Sequence, residues 1–362
     1  MHPLYVTRCT RVHCKASFNR VQVRFRTREM STWMAKSFVT SIDVAQRAGV
    51  SRSAVSRTFT PGASVSPDVR QRVMKAAEEL GYRVNRLAQT LNTSSSNLVG
   101  VVGANLSSPF IAKQLDMLSL GLLRRGQQCL LLNAADARSN IAPLIELIFE
   151  FRARAIVVLS GEPPASIVDE CLANGVKLIV INRNANRADL DVILSDDILG
   201  SRLAASRLIA ARCSKIAVVC SGSLTPTQVR RATAFEETIL EHGGEVVRWS
   251  EGPTAYETGV AAAKALLSDT QIDGAFCVTD LMALGFLDSA RKDFDRSVPD
   301  DLSVIGFDNI PQAAWISYNL TTIGQSFSVL TDAVLAALDH DDGHVSTQIV
   351  PIELIERGTV RS

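Results

Sequence analysis

Several marks of common functions are missing from this 362-residue chain. No apolar run approaches the ~18 residues that a membrane helix needs, and the longer ones, such as Ala155 to Leu159, are strand-sized. There is no G-x-G-x-x-G after the first strand-like run, no phosphate loop with Gly-Lys-Ser/Thr and no G-x-S-x-G elbow. Those absences argue against a Rossmann-type enzyme, a nucleoside triphosphatase and a serine hydrolase. The five histidines (His2, His13, His242, His340, His344) avoid the strand ends where a general base would be placed. Seven cysteines (Cys9, Cys14, Cys129, Cys171, Cys213, Cys220, Cys277) form no C-x-x-C pair and are odd in number. Reduced, buried thiols are therefore expected, not a disulfide framework or a zinc site. Neither catalysis, a metal nor a cofactor is expected.

What is present is a globular composition, 46% hydrophobic and 21% charged, at a length that predicts two or three domains. The net charge of +1 is a near-cancellation. Through Asn97 the chain carries 16 Lys and Arg against 5 Asp and Glu, a net of +11, and the remainder carries 22 against 32, a net of −10. A basic head on an acidic body points to a polyanion partner. Of the +11, the first 36 residues supply +7 (8 bases, 1 acid). Three readings fit that segment: an Arg-rich targeting sequence, a basic arm, or residues ahead of a true initiator at Met30 or Met34. The last is preferred, because every recognisable motif starts after it.

From Val39 to Leu80 the pattern is short, helical and punctuated. Thr40 or Ser41 can cap a helix carrying Ile42, Val44, Ala45 and Ala48, and Gly49 supplies a permissive turn. Ser51 can cap a second helix, Arg52 to Phe59, with Ala54 and Val55 facing inward and Arg52, Ser53, Ser56 and Arg57 free. Small Ala45, turn Gly49 and buried Val55 are spaced as in a helix-turn-helix. A third helix begins near Ser66-Pro67-Asp68 and ends at Gly81.

The run through Val44-Ala45, Gly49-Val50-Ser51, Val55-Ser56-Arg57, Val65-Ser66, Leu80-Gly81-Tyr82 and Asn85-Arg86-Leu87-Ala88 resembles the DNA-binding head and hinge of the LacI/GalR family of bacterial repressors. By that resemblance Arg52 and Ser53 read base edges and Arg57 makes a further base or phosphate contact. The fork of donors on Arg suits the O6 and N7 acceptors of guanine. Ser51 and Ser56 suit phosphates, which position the helix without reading sequence. Asn85, Arg86 and Ala88 lie at the DNA in the hinge, and Leu91 matches the leucine that wedges into a base step from the minor groove.

Beyond Leu98 short apolar runs alternate with amphipathic helical patterns. Leu98 to Val102, Cys129 to Leu132, Ala155 to Leu159, Lys177 to Ile181, Lys215 to Val219, Ala275 to Val278 and Val304 to Phe307 predict buried strands, and Ile349 to Val360 a final strand pair. Repeated βα units predict parallel sheets, whose ligands bind beyond the C-terminal strand ends. That rule selects Ser108, Phe110, Asn182, Arg183, Thr279, Asp280 and Asp308. Singly, each also reads as a cap, a turn or a solvated charge. The body resembles the same family's two-lobed, periplasmic-binding-protein-like effector domain, through Ser108-Pro109-Phe110, Asn182-Arg183, Asp196-Asp197-x-x-Gly200, Arg231 with Phe235, Thr279-Asp280-x-Met282-Ala283-x-Gly285, Ser303 to Asp308 and Leu320-Thr321-Thr322-Ile323-x-Gln325. The resemblance implies that Arg231, Asp308 and Asn182 bond ligand hydroxyls or a carboxylate, that Gln325 belongs to the site, and that Phe110, Trp315 and Phe327 stack on a sugar face. Thr279, Ala234 and Asn182 depart from the family's usual Asn, Gly and Asp, so the effector is not copied from any better-known member.

The expected organisation is therefore an all-α helix-turn-helix head (37–84), a hinge (85–97) and an α/β two-lobed body (98–362). The first lobe takes 98–195 and 325–353, and the second 196–324 and 354–362. The expected function is that of a cytoplasmic, homodimeric repressor on palindromic operator DNA, with half-sites ~10 base pairs apart, answering to a sugar or sugar acid. Two rivals share the α/β body: a Rossmann-type enzyme, for which the motifs are lacking, and a solute-binding protein, which would need an export signal.

Overall fold

The computed structural model describes residues 38–60, 62–84, 96–134, 141–160, 163–182, 190–268, 271–340 and 345–362. The chain divides into two compact units, one ending at Arg86 and the other beginning at Leu87.

The first unit holds three helices, α1 (Ser41–Ala48), α2 (Arg52–Thr58) and α3 (Pro67–Leu80). Each starts on a hydroxyl cap, the side chain of Thr40, Ser51 or Ser66 accepting a backbone N–H one turn on, and Thr40 with Asp43 completes a reciprocal capping box. Gly49 and Gly81 end α1 and α3 in the left-handed region (φ 64° and 65°), where a β-carbon would be strained. The core is Val44, Ala45, Ala48, Val55, Val73, Ala76 and Ala77. Burying Val44 and Val55 completely contributes ~1.5–3 kcal/mol each. Ile42, expected on the apolar stripe, is instead 59% exposed, because α1 turns only Val44, Ala45 and Ala48 inward. Two arginines of α3 tie the unit together, Arg70 donating to the carbonyl of Thr58 and Arg72 to that of Ala48.

The second unit contains two six-stranded sheets. The first runs β11 (Thr347–Val350), β5 (Asp191–Ser195), β4 (Lys177–Ile181), β3 (Ala155–Val158), β1 (Leu98–Ala104), β2 (Gln128–Ala134), all parallel. The second runs β12 (Ile352–Ile355), β10 (Thr321–Gln325), β9 (Ser303–Asp308), β8 (Gly274–Cys277), β6 (Lys215–Cys220), β7 (Glu245–Ser250), parallel except for β12 against β10. Helices α4 (Pro109–Arg124), α5 (Ala142–Glu150), α6 (Ala165–Ala173) and α11 (Phe327–Asp339) go with the first sheet. Helices α7 (Asp197–Ala210), α8 (Pro226–Glu241), α9 (Tyr256–Leu267) and α10 (Asp280–Asp293) go with the second. Two of these lobes, each a parallel sheet with helices on it, are what repeated βα units produce.

The chain passes between sheets after Ser195, after Gln325 and at Pro351. The last passage corrects the expected final strand pair. β11 and β12 are not paired with each other; each joins a different sheet, and proline, which cannot donate to a ladder, sits between them. It also moves the expected lobe boundary from 353/354 to 351. Among the described cysteines, Cys171, Cys220 and Cys277 are buried and Cys129 and Cys213 half-buried, all as free thiols. Burial pushes the Cys171 thiol up to about 12 and Cys220 to about 11, which keeps both inert.

Candidate functional site

On the head, Ala54, Val55 and Thr58 of α2 are buried, so helical geometry turns Arg52, Ser53, Ser56 and Arg57 outward, and all four are exposed together with Ser51. Ser51 Oγ caps the helix at Ala54 N (3.2 Å) and meets Ser53 Oγ at 2.9 Å. Arg52 Nε donates to Ser41 Oγ (3.3 Å) and Arg57 Nε to the Ser53 carbonyl (3.4 Å), which orients both guanidinium groups across the face. The result is an amphipathic helix with a polar, cationic outer row at a capped N-terminus, a form that suits phosphate and base-edge contacts. Asn85, Arg86, Ala88 and Leu91 lie outside the described residues, as does Arg183 in the body.

In the second unit the polar centre is Arg231, on α8 and 3% exposed. Its Nε donates to Asp197 Oδ1 (2.8 Å), and its Nη1 donates to Asp308 Oδ1 (3.0 Å) and the Val278 carbonyl (2.9 Å). The guanidinium lies over the Phe307 ring, 3.5 Å from its centroid. Arg230 adds a second cation, donating to Asp197 Oδ2 at 2.7 Å. Asp308 ends β9 at φ 120°, a backbone shape costing ~1–3 kcal/mol, and its carboxylate also accepts from Gln325 Nε2 at 3.0 Å. Burial raises the Asp308 carboxyl to about 6 even beside Arg231. Two carboxylates already surround the buried cation, so a ligand entering here meets a balanced donor and acceptor set, the chemistry that hydroxyl groups use.

The other expected residues divide. Thr279, at the start of α10, has its hydroxyl buried with no partner among the described residues. Ser108 precedes α4 without using its side chain as a cap. Phe110 and Phe327 meet at 5.2 Å between ring centroids, and Phe110 packs against the apolar cores of both lobes. Asn182 Oδ1 accepts from Ser195 N (2.9 Å), while its carbonyl accepts from Thr227 Oγ1 (3.0 Å), joining the lobes. Three others have protein partners of their own. Trp315 is 55% exposed and stacks on Tyr318, whose hydroxyl bonds Asp288 in the third turn of α10. Gln325 spends both ends of its amide on protein, on Asp308 and on Ser195 Oγ. Asp280 is fully enclosed, with Oδ2 accepting from Ile310 N (2.9 Å) and Oδ1 from Thr322 Oγ1 (2.6 Å). It fits because Gly306 has no side chain; a β-carbon there would stand 2.1 Å from the carboxylate. Asp280 is thus a brace between β8, β9 and β10.

Burial, with Asp308 nearby, raises the Asp280 carboxyl to about 7 from an ordinary 3.8. The folded protein then binds more protons than the unfolded chain between these values, and stability falls as pH rises through that window. Melting temperatures from pH 4 to 8 should show this fall in the wild type and a smaller one in Asp280→Asn, whose amide can still accept from Ile310 N and donate to Thr322 Oγ1. Equal slopes would remove the assignment.

Asp197 and Arg230 were not anticipated as site residues. The signal was available: in the doublet Asp196-Asp197, Asp196 caps α7 at Leu199 N, which leaves Asp197 to pair with cations. Among the described residues no group of three His, Cys, Asp or Glu is placed to hold a metal, and no helix is long and apolar enough to cross a membrane.

Residues 42–85 match the bacterial regulatory proteins of the lacI family, and residues 205–360 match the periplasmic binding protein-like domain. The regulator GalS of Salmonella typhimurium is 30% identical over 288 residues, covering 79% of this chain and 84% of that protein. The chain belongs to the lacI family. Its relatives in that family are transcriptional regulators, not enzymes, and the regulator described here is a transcriptional repressor-type protein with a ligand-binding domain. The lac repressor dimer bound to operator and the anti-inducer ONPF shares the fold at a TM-score of 0.80 with 22% identity, over 90% of this chain and 100% of that one. A complex of the regulator CelR with cellobiose aligns at a TM-score of 0.64 and 26% identity, over 89% and 99% of the two chains.

Proposed function

We propose that this lacI-family regulator is a cytoplasmic homodimer that binds a palindromic operator through the outer row of α2 and answers to a sugar or sugar acid held beside Arg231. The observation that carries the DNA half is the exposed row of Ser51, Arg52, Ser53, Ser56 and Arg57 over an apolar underside. Selection from random DNA by the purified protein should enrich a palindrome, and specific affinity should fall steeply with salt, because phosphate contacts supply much of it. Arg52→Ala should relax the preference at a single position in each half-site, at a cost of ~1–3 kcal/mol against the preferred base. A uniform loss over all sequences would make Arg52 a phosphate contact instead.

The effector half is supported by the buried, doubly paired Arg231, by the free Thr279 hydroxyl and by the cellobiose held in a relative. A thermal-shift panel of sugars, sugar acids and nucleosides tests it, since a ligand at 100 times its Kd stabilises by ~2.7 kcal/mol. Nucleosides alone giving a shift would overturn the sugar class. The dimer is supported by apolar residues around β2, the outer strand of the first sheet. Leu131 on β2, Leu120 and Leu123 on α4, and Leu147 and Phe151 at the end of α5 are all exposed. An uncovered apolar sheet edge of this kind is a natural seat for a second copy.

A further inference from the structure

The charged groups that meet around Arg231 cancel one another. Asp197 is shared between two cations, Oδ1 accepting from Arg231 Nε (2.8 Å) and Oδ2 from Arg230 Nη2 (2.7 Å), and its side chain is only 1% exposed. Asp308 supplies the second acid, on Arg231 Nη1 at 3.0 Å. Asp280, the next acid inward, is answered by Arg357 and leaves the sum unchanged. Among the described residues, Arg231 Nη2 and Asp308 Oδ2 have no hydrogen-bond partner, one donor and one acceptor on the two members of a single ion pair. A carboxylate accepts hydrogen bonds and donates none, so a ligand meets Asp308 Oδ2 with a donor and Arg231 Nη2 with an acceptor. Hydroxyl groups offer both. A ligand carboxylate offers acceptors only, stands against Asp197 and Asp308, and finds neither arginine unneutralised.

We infer that Asp197 fixes the charge of the effector: by neutralising Arg230 and Arg231 together with Asp308, it makes the site select an uncharged polyhydroxyl compound over the corresponding acid or amine. The inference rests on reading the Arg231 cluster as the effector site, and it narrows the sugar-or-sugar-acid class to its neutral members. Asp197 is a specificity-determining residue that acts through the two arginines, since almost none of its own side chain is exposed.

The test uses the full-length protein and matched sets of ligands that differ in charge. Glucose, galactose and cellobiose are each compared with the acid (glucuronate, galacturonate, cellobionate), and the first two also with glucosamine and galactosamine, by isothermal titration. In the wild type the neutral sugar of a set should bind at least about tenfold more tightly than its acid or its amine. Asp197→Asn keeps the side-chain size and an acceptor for Arg231 Nε but leaves one positive charge uncancelled. The acid should then gain at least about tenfold in affinity while the sugar changes by less than about threefold, because only the charged ligand feels the altered sum. A merely structural Asp197 would lower stability and shift both ligands alike. The inference is overturned by an acid or amine that binds the wild type more tightly than its sugar, or by an Asp197→Asn protein in which the acid gains nothing on the sugar. The wild-type comparison needs no variant, so it decides the matter even where Asp197→Asn does not fold. If no member of any set binds the wild type, the sugar reading of the effector fails separately. Binding of an acid that then appears in Asp197→Asn supports the charge assignment, and its absence overturns it.

Discussion

Arg231→Met should lower the stability of the body by about 3–5 kcal/mol, the usual cost of removing one partner from a buried charge network. The substitution keeps most of the side-chain volume and its packing on the Phe307 ring, so cavity formation contributes little. What it removes is the charge facing Asp197 and Asp308, two carboxylates in a water-excluded place. Asp197 retains Arg230 and is partly compensated, whereas Asp308 keeps only the neutral amide of Gln325. For a unit of this size the loss corresponds to a fall of roughly 6–20 °C in melting temperature. Two further outcomes separate a charge effect from a packing effect. The loss should be smaller at pH 5 than at pH 8, because the Asp308 carboxyl, already at about 6, takes up a proton once its cation is gone. Adding Asp308→Leu to Arg231→Met should recover part of the lost stability, since an apolar pair in a buried site is often no worse than the ion pair it replaces. Loss of the same size at both pH values would point to packing and remove the electrostatic account.

Gly259→Ala should be still more damaging relative to its size, costing about 4 kcal/mol for one methyl group, above the ordinary range for an overpacked core. Helices α9 and α10 cross backbone to backbone. A β-carbon on Gly259 would stand 1.9 Å from the Met282 carbonyl oxygen, and one on Gly285 would stand 2.0 Å from that of Tyr256. The obstruction is main chain on both sides, flanked by fully buried Ala262, Ala263, Ala283 and Phe286, so one helix must move as a whole. Gly121→Ala provides the comparison, because its β-carbon would meet only the end of the Leu335 side chain, which can change rotamer. Chemical denaturation should place Gly259→Ala at least about 2 kcal/mol below Gly121→Ala, a gap larger than the ~1.5 kcal/mol upper cost of strain at one rotamer. Similar losses in the two would show that the crossing is looser than described. Helix α10 also carries Asp280 at its start, so the same crossing holds the brace between β8, β9 and β10.

Local chemistry made much of the head legible. Caps at Thr40, Ser51 and Ser66 and stops at Gly49 and Gly81 act within one turn of the residues they control, so the sequence alone places all three helices. Ile42 escaped this reading because an eight-residue helix has too few positions to define its buried face. In the body, central strands such as β3 and β8 announce themselves as continuous apolar runs, being covered on both faces. Strands β5, β7 and β10 do not: they mix in charged or hydroxyl residues such as Asp191, Arg248 and Thr321, whose partners come from distant parts of the chain. The final pair was misplaced for a related reason, since apolar alternation says that a strand exists without saying which sheet receives it.

By itself, then, the sequence determined the class of protein and the alternation of strands and helices, and it nominated α2 for DNA and Arg231 and Asp308 for the effector. Only the tertiary structure decided which acids meet Arg231 and which brace the strands. Asp280 follows β8 and Asp308 ends β9 in the same sheet, but Gly306 leaves a space that encloses Asp280 among Thr322 and Ile310, while the turn at Asp308 aims its carboxylate at Arg231 and Gln325. That difference depends on where residues tens of positions apart come to rest. No local pattern encodes it, because the environment of a buried carboxylate is made by its neighbours in space.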